Sequence, residues 1–291
     1  SEVPFCEGNC VEQGMVSYEP IAKAFAKVIP LTDRSILMEV GPILAYLLPE
    51  LANHGIQKKI DFDPRTHKLK LFEMVVDWLK RVSLIRPFTL FIDDLHWADL
   101  STLELLNHCI RELDKAAILI VGTFRDDEVP PTGPLWQTIE EKLTVHLKLA
   151  PFTEEHMAEL IEKMLVHVEL QPPFISYIYS ATSGNAFFIT EVMRYLVEEN
   201  LIQKDRNRWL IPDDFSKWTL PTSIAATIKH RLARLSDAAL QLIRLAALVG
   251  RKIELRLLES LSGLTDSELF EVLEELVERQ FLNRGHDFLI F

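Results

Sequence analysis

The stretch LFIDDLHWAD, residues 90–99, runs an apolar segment into two adjacent carboxylates, Asp93 and Asp94. Buried carboxylates are costly unless a metal ion or a row of donors satisfies them. At the carboxyl end of a strand in an open α/β sheet, where such folds place their ligands, the first acid can hold Mg2+ through water and the second can polarise an attacking water. The alternative is a strand whose terminal aspartates cap the next turn, and the acid pair alone does not choose between the two. A second apolar run, AILIVGTFRDDE at 117–128, ends on Thr123 and Arg125. An arginine there can reach a phosphate, or it can pair on the surface with Asp126 or Glu128. Two successive strands presenting an acid pair and an arginine at one edge weigh toward phosphate chemistry.

Such residues need a sheet to hold them. Strands are expected at 88–92, 117–123 and 145–149, with helices near 19–29, 64–84, 101–113 and 135–143. Apolar strands alternating with helices predict a parallel sheet covered on both faces. After Pro151 the pattern turns helical, with helices expected near 153–166, 172–181, 185–199, 222–235, 237–249, 253–261 and 266–279. Thr153 is placed to cap the first of these, and Thr265 with Glu268 spells a capping box, as does Ser101 with Glu104. The closing FLNRGHDFLIF alternates around Gly285 and predicts a β-hairpin, so helices followed by a hairpin suggest a winged helix.

Composition bounds the function. With 291 residues, 48% hydrophobic and 25% charged, the chain can bury a sizeable core in two or more domains. A net charge of −12 argues against a general nucleic-acid binder, which needs clustered Lys and Arg. The three cysteines, Cys6, Cys10 and Cys109, are an odd set that predicts a reducing, cytoplasmic setting; Cys6 and Cys10 lack a second ligand pair at zinc spacing. No apolar run approaches the roughly 20 residues of a membrane span. The 291 residues spell no signal peptide, and a chain opening on Ser1 instead of Met is expected to have lost its true start.

In this order, LFIDDLHWADLSTLELL, ILIVGTFRDDE, SGNAFFITEVMRYLVEENLI, LPTSIAATIKHRLARLS and LIRLAALVG resemble the STAND-class AAA-type ATPase module. That module occurs in large LuxR-type transcription regulators and in multidomain serine/threonine kinases and nucleotide cyclases. The resemblance implies an α/β P-loop NTPase-like parallel sheet over 1–150, an all-α lid over 151–221 and a winged-helix-like domain over 222–291. It also implies ATP or ADP with Mg2+ as cofactors. Asp93 would then be the Walker B acid linked to the metal, Asp94 the residue near the hydrolytic water and Arg125 the sensor arginine, with Thr123 beside the nucleotide. Gly184, Asn185, Phe187 and Phe188 match the family's GNPFF segment at the base, with Ala186 where the family has proline. His96 and Trp97 also follow the acid pair in the family, but need no catalytic role.

None of the ten glycines precedes a lysine, so the 291 residues contain no G-x-x-x-x-G-K-[ST] loop to cradle phosphates. In the family that loop lies upstream of the region matched by Ser1, and its strand lies between those at 117–123 and 145–149. The expectation is a piece, or an N-terminally eroded copy, of a signalling ATPase that turns over little ATP by itself and self-associates through unpaired strand edges. The parent protein would be an ATP/ADP-dependent switch whose partners are nucleotide and the effector or sensor domains of the same chain. A non-enzymatic pseudo-ATPase scaffold is the rival. A DNA-binding regulator is a third reading, since residues 224–256 carry Lys229, Arg231, Arg234, Arg244, Arg251, Lys252 and Arg256 against Asp237 and Glu254. A solvated basic face is the preferred account of that segment.

Overall fold

Parallel strands need crossovers of a dozen residues or more, usually helices, and the first half of the chain supplies them. The computed structural model describes residues 3–12, 16–63, 66–129, 132–136, 145–206, 208–215, 217–249, 252–279, 281–284 and 288–290. The chain divides into two compact units, Ser1–Leu147 and Lys148–Phe291.

The first unit runs β1 (Phe5–Asn9), α1 (Glu19–Ala26), α2 (Arg34–Leu44), α3 (Lys68–Ile85), β2 (Phe88–Asp93), α4 (Leu100–Glu112) and β3 (Ile118–Gly122). The strands form a parallel sheet in the order β1-β2-β3. Register sets Asn9 beside Asp93 and Ile92 beside Gly122, so all three strands end at one edge. The sequence reading has neither β1, which is short and interrupted by Gly8, nor α2, which carries the helix breakers Gly41 and Pro42. Gly8 is needed where α1 crosses β1, because a Cβ there would stand 1.9 Å from the carbonyl oxygen of Pro20.

Two expectations about the sheet are corrected. Along β2, Phe88, Leu90 and Ile92 are buried in one core with Phe25 of α1, Leu79 of α3 and Leu105 of α4. The alternate residues are only half-buried, and Phe5 and Leu119 are 57% and 61% exposed, so among the described residues one face is covered and the other is partly open. Residues 145–149 form no strand, and Leu147 is 79% exposed. Alternation supplies the side chains of a strand but not the neighbour that must satisfy its backbone. His146 instead stacks against Phe124, with ring centroids 5.9 Å apart, and meets Trp136 edge-on. The helix expected at 135–143 lies largely outside the described residues.

The second unit runs α5 (Glu154–Met164), α6 (Pro172–Thr182), α7 (Ala186–Glu198), β4 (Gln203–Asp205), β5 (Arg208–Leu210), α8 (Ile224–Leu232), α9 (Asp237–Val249), β6 (Lys252–Glu254), α10 (Leu255–Ser262), α11 (Asp266–Glu278), β7 (Asn283–Arg284) and β8 (Phe288–Ile290). The hairpin β4-β5 lies between the helices expected at 185–199 and 222–235, in a largely helical region where no strand was expected. The closing strands pair antiparallel in the order β6-β8-β7, and the turn between β7 and β8 lies outside the described residues. Thr153 accepts from the His156 amide, and Thr265 with Glu268 forms the full capping box. The Ser101–Glu104 box does not form: Asp99 caps α4 through the amides of Ser101 and Thr102, while Glu104 pairs with Lys68.

Two apolar clusters fill this unit. Met157, Phe174, Ile189 and Val192 belong to one, and Leu242, Leu258, Leu273 and Leu276 to the other. Arg231 of α8, read from sequence as part of a solvated basic face, is instead 4% exposed. Its Nη1 donates to Glu191 Oε2 at 2.6 Å, its Nε to Glu198 Oε1 at 3.1 Å and its Nη2 to the carbonyl of Arg279. The guanidinium lies over the Phe281 ring, 4.6 Å from its centroid. Burial is tolerated because each of the three guanidinium nitrogens donates a hydrogen bond, two of them to carboxylates.

Candidate functional site

Thr123, the residue after β3, organises the acid pair. Its amide donates to the Ile92 carbonyl at 3.1 Å and its carbonyl accepts from the Leu95 amide at 2.8 Å. Its hydroxyl donates to Asp93 Oδ1 and accepts from the Asp94 amide at 3.0 Å. One threonine thus brackets both aspartates from the neighbouring strand. From the other side, the Cys10 amide donates to the Asp93 carbonyl at 3.0 Å. Asp94 takes a left-handed backbone, φ 57°, a region that Asp enters more readily than most residues. That bend ends the strand and starts the turn Leu95–Trp97.

Arg125 follows in the loop after β3, with 58% of its side chain exposed. It pairs with Asp127 at 3.2 Å and with Glu128 at 2.5 Å, close to the surface pairing that the sequence offered as the alternative. The structure therefore brings Asp93, Asp94 and Thr123 together, and holds Arg125 on its own loop. Gly184, Asn185 and Phe187 belong to the second unit. There Asn185 caps α7 by accepting from the Phe188 amide at 2.9 Å, Phe187 is 52% exposed, and Phe188 is buried. Gly184 adopts φ +73°, and its carbonyl accepts from the Phe152 amide at 2.8 Å.

Sequence reasoning missed two neighbours of the acid pair, Asn9 and Cys10, and gave a third, His96, no role. Asn9, beside Asp93 in register, buries its Oδ1 without a hydrogen bond among the described residues. Cys10 is buried, and desolvation, reinforced by Asp94, Asp99 and Asp93, pushes its thiol from the usual 9.0 up to about 12. The His96 side chain is buried, although its position after the acids was its only signal. The described residues contain no group of three or more His, Cys, Asp or Glu side chains that could hold a metal ion. An acid pair still suits Mg2+, which keeps several waters and takes one or two carboxylates plus substrate phosphates.

The cysteines carry a prediction. Cys109, fully buried, is likewise pushed up to about 12 by desolvation, and Cys6 is raised for the same reason. The thiolate is the reactive form, so the three thiols should be silent toward a disulfide reagent in the native protein at pH 8 and titrate fully in denaturant. Folded-state values above the unfolded one mean that this contribution to stability is complete below about pH 9 and is lost as pH rises toward 12. Denaturation midpoints measured between pH 8 and 11 should fall with pH; rapid native labelling would contradict the burial.

The fold is that of an α/β P-loop NTPase-like protein, a three-stranded parallel sheet with many helices. It is similar to the crystal structure of a Signal Transduction ATPase with Numerous Domains (STAND) protein with a tetratricopeptide repeat sensor from Pyrococcus horikoshii. The TM-score is 0.52 and the identity 13%, over 98% of this chain and 38% of that one. In sequence, the chain is 24% identical over 265 residues to an uncharacterised protein of Rhizobium meliloti (strain 1021), covering 89% of this chain. It is 22% identical over 172 residues, 57% of its length, to hybrid signal transduction histidine kinase G of Dictyostelium discoideum. The chain spans only 24% and 5% of the lengths of these two relatives. No family model matches it. Among the described residues no helix is long and apolar enough to cross a membrane.

Proposed function

We propose that this chain is the core of a signal-transduction ATPase module, working as an ATP/ADP-dependent conformational switch, with nucleotide phosphates and Mg2+ taken at the carboxyl ends of β2 and β3. The observation that carries this reading is the bracketing of Asp93 and Asp94 by Thr123 across two parallel strands. Fixing two carboxylates at a ligand-binding sheet edge has an obvious use in holding a hydrated cation and its phosphates. Asp93 would hold the water shell of Mg2+, Asp94 would orient a water, and Arg125 would leave its carboxylates for a phosphate. Gly184, Asn185 and Phe187 would meet the base, by the resemblance to the family's segment.

The domain limits 1–150, 151–221 and 222–291 belong to the same reading. A winged helix at the end is supported by the order from α9 to β8, a helix, a strand, two helices and two strands. Effector or sensor domains of the parent chain are the proposed partners. A non-enzymatic scaffold is the second reading, favoured by the pairing of Arg125 with Asp127 and Glu128.

Titration with a fluorescent ATP analogue and Mg2+ tests the proposal. Binding should saturate, and Asp93→Ala should weaken it at least about tenfold, a change of about 1.4 kcal/mol. Absence of binding up to millimolar nucleotide would leave the scaffold reading in its place.

A further inference from the structure

His96 sits in the turn between the acid pair and α4, with its side chain 1% exposed. The Arg125 amide donates to its Nδ1 at 3.4 Å, so the neutral ring carries its proton on Nε2. That Nε2 is buried and closes no hydrogen bond among the described residues. Glu128 Oε2 stands 3.4 Å from it, while the other oxygen of the same carboxylate holds Arg125 Nη1 at 2.5 Å. On the opposite side, Asp94 Oδ1 is 4.0 Å from Nδ1. A buried donor without an acceptor is costly, and here a carboxylate is within reach but is held by Arg125 through its other oxygen, in an orientation that closes no bond to Nε2.

We infer that His96 is a positioning residue that ties the loop after β3 to the acid pair, and that the Glu128 carboxylate is exchanged between Arg125 and the Nε2–H of His96. In the present arrangement Arg125 holds Glu128. When Arg125 is drawn to an anion, the freed carboxylate closes on His96, and the loop carrying Glu128 moves against the turn that follows Asp94. No bond to hydrogen is broken; one ion pair is replaced by one hydrogen bond, and the two-position carboxylate is the bistable element. The anion being a nucleotide phosphate rests on the function proposed above, but the exchange itself needs only the departure of Arg125.

Ring 15N shifts of His96, read through its carbon-bound protons and assigned by their loss in His96→Gln, test this without nucleotide. The wild-type ring should show the Nε2–H tautomer. Arg125→Met, a change at an exposed side chain, should move the Nε2 resonance downfield, and Glu128→Gln added to it should abolish the shift. An Nδ1–H tautomer, an unmoved resonance in Arg125→Met, or a shift that survives Glu128→Gln would each overturn the exchange. Adding the ATP analogue with Mg2+ to the wild type should reproduce the Arg125→Met shift. If only the variant shifts, the exchange stands and the failure belongs to the nucleotide reading.

Discussion

Arg231→Met should lower the stability of the second unit by about 3 kcal/mol, within the range of about 3–5 kcal/mol for breaking a buried ion pair on one side. The substitution keeps most of the side-chain volume, so lost packing contributes little. What it removes is the buried one of two partners of Glu191, which is 2% exposed, together with donors to Glu198 and to the carbonyl of Arg279. Arg194, whose Nη1 lies 2.5 Å from Glu191 Oε1, remains and keeps the loss near the lower limit. Removing the acid as well should restore much of the stability: Glu191→Leu with Arg231→Met takes away both fully buried charges and leaves only the part-exposed Arg194 and Glu198 to be met by water, and such apolar replacements are often neutral. Denaturation midpoints of the two single variants and the double variant measure the coupling directly. A single-variant loss below about 1 kcal/mol would mean that water reaches Glu191 and that the pair is not buried in solution.

Gly184→Ala should cost about 3 kcal/mol or more, combining backbone strain with overpacking. The residue holds φ +73°, where a side chain is strained whatever the space around it. Its added Cβ would also stand 2.2 Å from the Phe152 carbonyl oxygen, and that atom belongs to backbone held by its own bond to Gly184. The chain must shift there, and the Asn185 cap on α7 shifts with it. Thermal melts of the variant and of Ser183→Gly separate the causes. Ser183 holds φ 50° next door, so glycine there should relieve backbone cost without a clash. Equal melting of Gly184→Ala and wild type would show that the loop before α7 relaxes freely. Gly184 thus has a structural reason to be glycine that is independent of any contact with a nucleotide base.

Local patterns in the chain already determined a good deal. The apolar runs gave β2 and β3, their alternation with helices gave a parallel sheet, and Thr153 and the Thr265–Glu268 pair gave two helix starts that depend on neighbours within four residues. The acid pair at the end of β2 was legible for the same reason. Where a closer competitor existed, local reading failed: Asp99 lies one residue before α4 and captured the cap that Ser101 and Glu104 spelled.

Tertiary structure decided the rest, because it alone sets which distant groups come within hydrogen-bonding distance. Thr123 brackets two aspartates about 30 positions earlier in the chain, and no periodicity announces a threonine after a strand as their partner. Arg231 looks in sequence like any surface arginine of a basic segment, yet Glu191, 40 positions away, makes its burial affordable. His96 became a buried imidazole facing Glu128 only when β2 and β3 lay side by side. The strand expected at 145–149 failed on the same principle, since alternating side chains do not supply the neighbouring backbone a strand requires. Hydrophobic periodicity reports which side of an element turns inward; which polar group waits there is a property of the assembled chain.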